Sequence, residues 1–225
     1  MLFRARWATL LVLLTASPLF AQDKKFAVKT ATADPPKELA PAISKLLGNN
    51  VLQFYDQAGK LVCQLWLSKE LPAQATAEQI KNGITFRELK ETQLIAAVQF
   101  DQAWQDYRKQ KIKPGVYTFR LGFQPVDGDH SGKSEFTEFL VLSAAARDQS
   151  PDTMAPKSLQ EMSGKTVNTG HPGVFMLFPN SKPGQPTIQS RPRDHWVLNV
   201  GLPVQAGGAR GTLGFGITLV GEADD

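Results

Sequence analysis

The clearest structural signal in this 225-residue chain is the octapeptide Val-Tyr-Thr-Phe-Arg-Leu-Gly-Phe at residues 116–123. Its large apolar side chains occupy every second position, and smaller or polar side chains occupy the positions between them. Because successive side chains of a β-strand point to opposite faces, this spacing predicts a strand with one buried face. The preceding Lys113-Pro114-Gly115 has the Pro-Gly order that is typical of a type II turn.

Similar short apolar runs recur along the chain, separated by segments rich in Pro, Gly and Asn. Two of them flank residues 56–60, a loop whose glycine suits a hairpin. Many short strands with frequent turns bury their apolar faces by packing sheet on sheet. We therefore expect a mainly β fold: an antiparallel β-sandwich, immunoglobulin-like or jelly-roll-like, with a few short helices. The other runs lie at residues 51–55, 61–67, 94–100, 136–142, 174–178, 195–200 and 213–220.

Helical signals are few and short. Residues 37–47 carry apolar side chains at helical spacing and end before Gly48, which predicts a short amphipathic helix. Thr76 and Gln79 have the spacing of a capping box, with Gly83 placed to end the helix. Asp101 is predicted to cap a further helical turn. Residues 144–172 form the longest stretch without a clear period.

The first residues have the pattern of a secretory signal. Arg4 and Arg6 precede an apolar run over residues 7–15, and Ala21 offers a small residue at the cleavage position. This run is too short to span a bilayer, and no later stretch reaches the ~18 apolar residues that a span needs. The paired arginines that mark the twin-arginine export route are absent. We expect residues 1–21 to be a signal peptide for the general secretion route, residues 22–36 a flexible leader, and residues 37–222 a single β-sandwich domain in the periplasm or outside the cell.

Composition excludes several classes of protein. The chain is 42% hydrophobic and 20% charged, which is too apolar for a disordered protein, and its single cysteine excludes a disulfide scaffold. Cys63 lies in a strand-like run and is predicted to be a buried, inert thiol.

Loss of the signal would remove two arginines and no acidic residue, lowering the formal charge from +4 to +2. The basic run at residues 108–113 lacks interleaved aromatic residues, so we expect a solvated surface and no nucleic-acid partner.

The most specific motif is an acidic loop at residues 127–138. Its spacing resembles the twelve-residue calcium loop of EF-hand proteins, in which oxygen ligands alternate along a tight turn around a central glycine, here Gly132. Ser134 replaces the usual branched apolar residue, and a predicted strand precedes the loop where an EF-hand has a helix. A polar hairpin loop is therefore the alternative interpretation. The resemblance implies calcium as the cofactor, held by Asp127, Asp129, Ser131, Glu135, Glu138 and the backbone carbonyl of Lys133.

Two further candidate sites are each built from similar residue types. The three histidines, His130, His171 and His195, could together hold copper or zinc and would then support a metal-dependent periplasmic enzyme. Trp66, Trp104 and Trp196, with Tyr107 and Tyr117, could line the face of a carbohydrate-binding module. In both cases the alternative is an ordinary structural role in the core or at a strand edge.

Residues 113–138 also resemble a segment of uncharacterised exported bacterial proteins, a group to which no activity is attached. The chain contains no metalloprotease, nucleophile-elbow or paired-cysteine motif. These observations favour a binding or structural role over catalysis. We therefore expect an exported, non-enzymatic binding or structural module with a calcium-stabilised loop at 127–138, and an envelope glycan or protein as its partner. The metal-dependent enzyme and the carbohydrate-binding module remain the alternatives.

Overall fold

A computed structural model describes residues 25–125, 127–128, 132 and 134–223. These residues form one large sheet and a separate two-stranded sheet, so the predicted mainly β, sandwich-like class is confirmed. The bounds of the strands are β1 Ala27–Thr32, β2 Leu47–Tyr55, β3 Leu61–Ser68, β4 Leu71–Pro72, β5 Leu94–Phe100, β6 Trp104–Gln105, β7 Lys111–Ile112, β8 Gly115–Phe123, β9 Glu138–Ala144, β10 Gly173–Pro179, β11 Thr187–Arg191, β12 His195–Ala206 and β13 Ala209–Val220.

The large sheet is an antiparallel meander that ends in a Greek key. Its strand order is β1-β2-β3-β5-β8-β9-β10-β13-β12-β11, and β4 adds a short parallel pairing to β12. The last four strands lie in the order β10-β13-β12-β11, which is a Greek-key arrangement. The sheet changes partner along β10, whose residues 173–176 pair with β9 and whose residues 177–179 pair with β13. The sheet curls at this strand so that its two halves face each other.

The main core fills the space between the two halves of the sheet. Phe175 in β10 stacks on Phe100 and packs edge-on against Phe119, with ring centroids 6.2 and 5.0 Å apart. Phe215 on β13 packs against Phe86, which lies in a short 3-10 turn at Phe86–Glu88. Burial of such large rings dominates the stability of a core. Cys63 is buried here, as predicted, and burial raises the pKa of its thiol.

In the described part of the chain, three α-helices accompany the sheet: α1 Pro41–Ser44, α2 Ala77–Asn82 and α3 Pro156–Val167. The predicted capping box of α2 is present, and Gly83 follows it with a φ of 95°. The predicted helix at residues 37–47 is wrong in extent, because only one turn forms. Gly48 lies inside β2 instead of ending a helix, since Leu47 already pairs with Ser68 of β3.

Three other expectations differ from the structure. Residues 27–32, within the predicted flexible leader, form β1 and pair with β2 over their whole length. Asp101 begins no helical turn, since Trp104 and Gln105 form β6. The weakly patterned stretch 144–172 contains α3, which was missed because its buried face includes Ser163 and Gly164 alongside Leu159 and Val167. Small side chains let the helix approach the sheet closely but give no apolar period.

The second face of β8 is covered by the connection between β9 and α3. Arg120 on this face is fully buried, and its guanidinium donates to both carboxylate oxygens of Asp148 at 2.7 and 2.8 Å. It also donates to the carbonyls of Thr92 and Asp152 at 2.8 and 2.9 Å, and to that of Ser150. All five guanidinium N–H groups therefore have acceptors.

Among the described residues, no helix has the length and apolar character needed to cross a bilayer.

Candidate functional site

A cavity of about 440 Å³ opens where β8, β9, β10 and the first turn of α3 meet. This volume lies in the range of small-molecule binding sites. Its walls are apolar and come from separate elements: Phe123 on β8, Phe139 and Val141 on β9, Leu159 on α3 and Val174 on β10. Phe139, Val141 and Leu159 are at most 8% exposed, so the walls are fixed by the core.

Gly122 makes room for this arrangement of the walls. It pairs with Phe139 across the β8–β9 ladder, and a Cβ atom at this position would lie 2.6 Å from Val141 Cγ2. Such an approach is too close for two carbon atoms, so Val141 would have to move. The glycine thus leaves the space in which Val141 lines the cavity.

Polar side chains surround the mouth of the cavity. Ser134 Oγ lies 2.9 Å from Gln124 Oε1 and 2.7 Å from the carbonyl of Phe136, which fixes the last part of the β8–β9 loop at the rim. The other polar and charged side chains that line the cavity are Glu91, Arg108, Lys109, Gln160 and His171.

Arg108 and Lys109 are presented by a turn built on a buried carboxylate. Asp106 accepts hydrogen bonds from the backbone N–H groups of Arg108, Gln110 and Val174 and from the Gln110 side-chain amide, at 2.8–2.9 Å. Burial raises the pKa of Asp106 and outweighs these hydrogen bonds, which lower it. The carboxylate joins the turn to the first residues of β10, so the cations at the rim have a fixed backbone.

His171 reaches the same part of the rim from the loop after α3. Gln110 donates to the carbonyl of Pro172 at 2.8 Å, and its side-chain oxygen accepts from Thr169 Oγ1. The N–H of His171 in turn donates to Thr169 Oγ1 at 3.2 Å. These bonds connect the histidine loop to the Asp106 turn. Arg108, Lys109 and His171 therefore belong to one hydrogen-bonded unit on one side of the cavity.

Within the described residues, the guanidinium of Arg108 makes no ion pair, whereas Lys109 lies 3.1 Å from Glu222. Arg108 is exposed, so in the described part of the chain its guanidinium is accessible from solvent.

The predicted calcium loop connects β8 directly to β9, so the strand expected before it is confirmed and the helices of an EF-hand do not flank it. Gly132 has a φ of 74°, which fits the sharp bend expected there. Asp127 and Glu135 are exposed, and Glu138 is half-buried at the start of β9. Asp129, Ser131 and Lys133 lie outside the described residues. Among the residues that are described, no group of three or more His, Cys, Asp or Glu side chains could hold a metal ion.

The predicted histidine site is described only in part, because His130 lies outside the described residues. His171 is exposed at the cavity rim. His195 is buried on β12 against the rings of Tyr107 and Phe178, and its Nε2 lies 3.2 Å from the carbonyl of Glu222. The cavity is lined by His171 and not by His195. His195 thus has a structural role, in which its ring packs in the core and contacts this backbone carbonyl.

The three tryptophans considered for a sugar-binding face differ in exposure. Trp66 is 3% exposed and donates from Nε1 to the carbonyl of Ala33, so it cannot stack on a sugar ring. Trp104 is half-buried and donates to the carbonyl of Leu219. Trp196 is half-buried against Phe26, with ring centroids 5.1 Å apart. Tyr107 and Tyr117 are also buried.

Sequence reasoning did not identify Arg108 as a candidate site residue, because the basic run at 108–113 is typical of a solvated surface. The signal that could have pointed to it is Asp106, an acidic residue two positions earlier whose carboxylate can accept from following N–H groups and close a turn. No family model matches this chain, and searches of curated proteins and of solved structures found no match. The resemblance of residues 113–138 to exported bacterial proteins therefore stays a prediction.

Proposed function

We propose that this protein is a non-enzymatic binding module that acts outside the cytoplasm and holds a small amphipathic anion in the cavity between β8, β9 and α3. The observation that carries this proposal is the combination of apolar walls with a cationic side of the rim. Apolar walls favour a hydrocarbon or aromatic body, because its transfer from water is favourable. The polar groups at the mouth then set the chemistry of the ligand's other end.

The cationic side of the rim favours a carboxylate as that end. Arg108 offers a planar fork of N–H donors that matches a carboxylate, and Lys109 and His171 come from the same hydrogen-bonded unit. Glu91 enters from a different element, before β5, and would repel an anion bound next to it. The ligand would therefore place its apolar body against Phe139, Leu159 and Val174 and its carboxylate beside Arg108.

A ligand series that differs only in the head group tests this proposal. Decanoate, decanol and decylamine share one apolar chain, and we expect decanoate to raise the melting temperature most, since a ligand that binds the folded state stabilises it. Calorimetric titration should show decanoate affinity about tenfold weaker in Arg108→Gln, the loss expected for one charge-assisted hydrogen bond.

Arg147→Gln is the matched control, because Arg147 is exposed and lies outside the cavity lining. It should bind decanoate as the unmodified protein does. Binding of decanol as tight as that of decanoate would contradict the carboxylate assignment. Failure of all three compounds to bind would contradict the cavity as the site.

Export and calcium binding belong to the same proposal. Arg4, Arg6 and the apolar run at 7–15 support export. N-terminal sequencing of protein from the native cell should give a chain that starts near residue 22 in the exported fraction. Recovery of the protein from the cytosol with Met1 intact would contradict this part.

Calcium would order the β8–β9 loop, whose Pro125 and Ser134 line the cavity. The acidic pattern of residues 127–138 supports this role, and Glu138 is the carboxylate expected to close the shell with two oxygens. We expect calcium to raise the melting temperature relative to a chelator, and Glu138→Gln to abolish that difference. Glu161→Gln, an exposed substitution on α3, should retain it. Equal melting temperatures with calcium and with chelator would rule out this role.

A further inference from the structure

A second concavity lies on the other side of the Asp106 turn and shares only Lys109 with the lining of the proposed amphiphile cavity. It is a groove of about 1550 Å³ between the β6–β7 sheet, the end of α3, the β11–β12 turn and the end of β13. Its volume exceeds that of ordinary small-molecule pockets, which are about 300–1000 Å³. A groove of this size fits a segment of a chain molecule better than a single small ligand.

The groove carries positive charge that the protein leaves uncompensated. Lys111, Lys113 and Lys165 are exposed in its lining, and among the described residues none of them makes an ion pair. Lys109 and Arg193 also line the groove, but each has an interaction partner within the protein. The acidic residues of the groove are Asp106, Asp194 and Glu222; the first is buried in its hydrogen bonds, and the last pairs with Lys109. The groove therefore favours an anionic occupant.

Strained backbone is concentrated around the same groove. Of the five non-glycine residues with positive φ in the described part of the chain, all except Thr92 line it: Lys109, Asn168, Arg193 and Asp194, with φ values of 54–63°. Left-handed backbone is unfavourable for most L-residues and less so for Asn and Asp. Asn168 follows α3 as an ordinary left-handed cap, but Lys109 and Arg193 have no such preference. Strain of this kind is typical of ligand-binding sites, where it places side chains that the ligand needs.

The uncharged lining suits sugar hydroxyl groups. Gln105, Asn168 and Thr169 supply amide and hydroxyl groups, and Trp104 contributes a half-buried indole. A peptide captured through its backbone would need a free strand edge, but β6 and β7 are only two residues long. A single-stranded nucleic acid would need several stacking aromatic rings. We propose that this groove binds an acidic oligosaccharide, whose carboxylates contact the lysines and whose hydroxyls contact the amides.

Binding of a defined probe tests this inference. The probe is a galacturonic acid tetramer, compared with a neutral glucose tetramer, a poly-glutamate peptide and a single-stranded oligonucleotide. We expect the acidic tetramer alone to bind, with an affinity that falls as salt increases. Replacing Lys111, Lys113 and Lys165 together by Gln should weaken binding about tenfold, because each exposed ion pair contributes modestly. The matched control replaces Lys37, Lys81 and Lys90 by Gln; these exposed lysines lie outside the groove, so affinity should stay within about twofold.

A pair of glycine variants separates charge from backbone strain. Arg193→Gly and Asp194→Gly both give the β11–β12 turn a residue that accepts left-handed backbone, but only the first removes a cation. We expect Arg193→Gly to weaken tetramer binding severalfold and Asp194→Gly to preserve it or strengthen it. The inference would be overturned if the acidic tetramer did not bind, or if the peptide or the oligonucleotide bound more tightly. It would also be overturned if the two lysine triple variants lost equal affinity.

Discussion

Arg120 is charged, fully buried and placed on a strand, a combination that requires its partners to be fixed in space. Asp148 lies 28 residues further along the chain and supplies two of the five acceptors, and backbone carbonyls supply the others. Thr118 also donates to Asp148, at 2.6 Å. This network fastens the connection between β9 and α3 against β8. It therefore positions the first turn of α3, which forms one wall of the cavity.

Asp148→Asn should lower the free energy of unfolding by about 3–5 kcal/mol, because it leaves a buried guanidinium without its counter-charge. Denaturant unfolding measures the change. Arg210→Gln breaks an exposed ion pair with Glu70 and should cost less than about 1 kcal/mol. The double variant Arg120→Met/Asp148→Leu should be more stable than Asp148→Asn. Equal costs for the buried and the exposed pair would contradict the role of the network.

Sequence reasoning at the scale of single residues succeeded where the signal was local. Cys63 was placed correctly in the core because its neighbours form an apolar strand. The burial of Arg120 was not predictable, since alternation assigned it to the polar face of β8 and its partner is remote in sequence. The burial of Trp66 was not predictable either, because its environment is made by Ala33 and other distant residues.

At the scale of elements, the Greek key depends on a pair of glycines. Gly201 of β12 and Gly214 of β13 are paired across the ladder, and the connection between β10 and β11 crosses over them. A Cβ on Gly214 would lie 2.1 Å from the carbonyl oxygen of Asn180, and one on Gly201 would lie 3.0 Å from Pro183 Cβ. The absence of side chains at these two positions lets the crossing connection lie directly on the sheet.

Gly214→Ala should destabilise the protein by about 3 kcal/mol or prevent folding, because backbone atoms of the crossing connection must move. Gly184→Ala is the control within the same connection, where a Cβ would meet no atom within 4 Å. Its unfolding free energy should stay within about 0.5 kcal/mol of the unmodified protein. Thermal and denaturant unfolding of the two variants measure both effects. Two equally stable variants would show that the connection does not rest on β13.

Local patterns predicted most strands and one helix correctly, and the exceptions have identifiable causes. The loop at residues 56–60 closes a hairpin as expected, with Gly59 at a φ of 78° and Asp56 accepting from two N–H groups of the loop. β1 was missed because it lies at the sheet edge and contains only half-buried and exposed residues, without regular alternation. The helix predicted at 37–47 is shorter in the structure, because its last predicted residue, Leu47, belongs to β2 and pairs with β3.

At the scale of the whole molecule, the cavity between β8, β9 and α3 exists only because remote segments meet. Its lining runs from Glu91 to Ala223, and no contiguous motif contains more than a fraction of it. The sequence motif nearest to it, the acidic loop, contributes Ser134 to the rim, whereas the cation Arg108 comes from a run interpreted as an ordinary surface. Composition and period could therefore predict the β class but not the place of the site. The site follows from how the sheet curls at β10.

The proposed amphipathic anion would bind between β8, β9 and α3, beside Arg108. Amide NMR spectra of isotope-labelled protein during a decanoate titration test this placement directly. We expect saturable shifts at Phe123, Phe139, Leu159 and Val174, together with the backbone of Arg108, and unchanged signals at Asn168 in the groove. Spectra without saturable shifts, or with shifts centred on the groove and absent from the cavity walls, would contradict it.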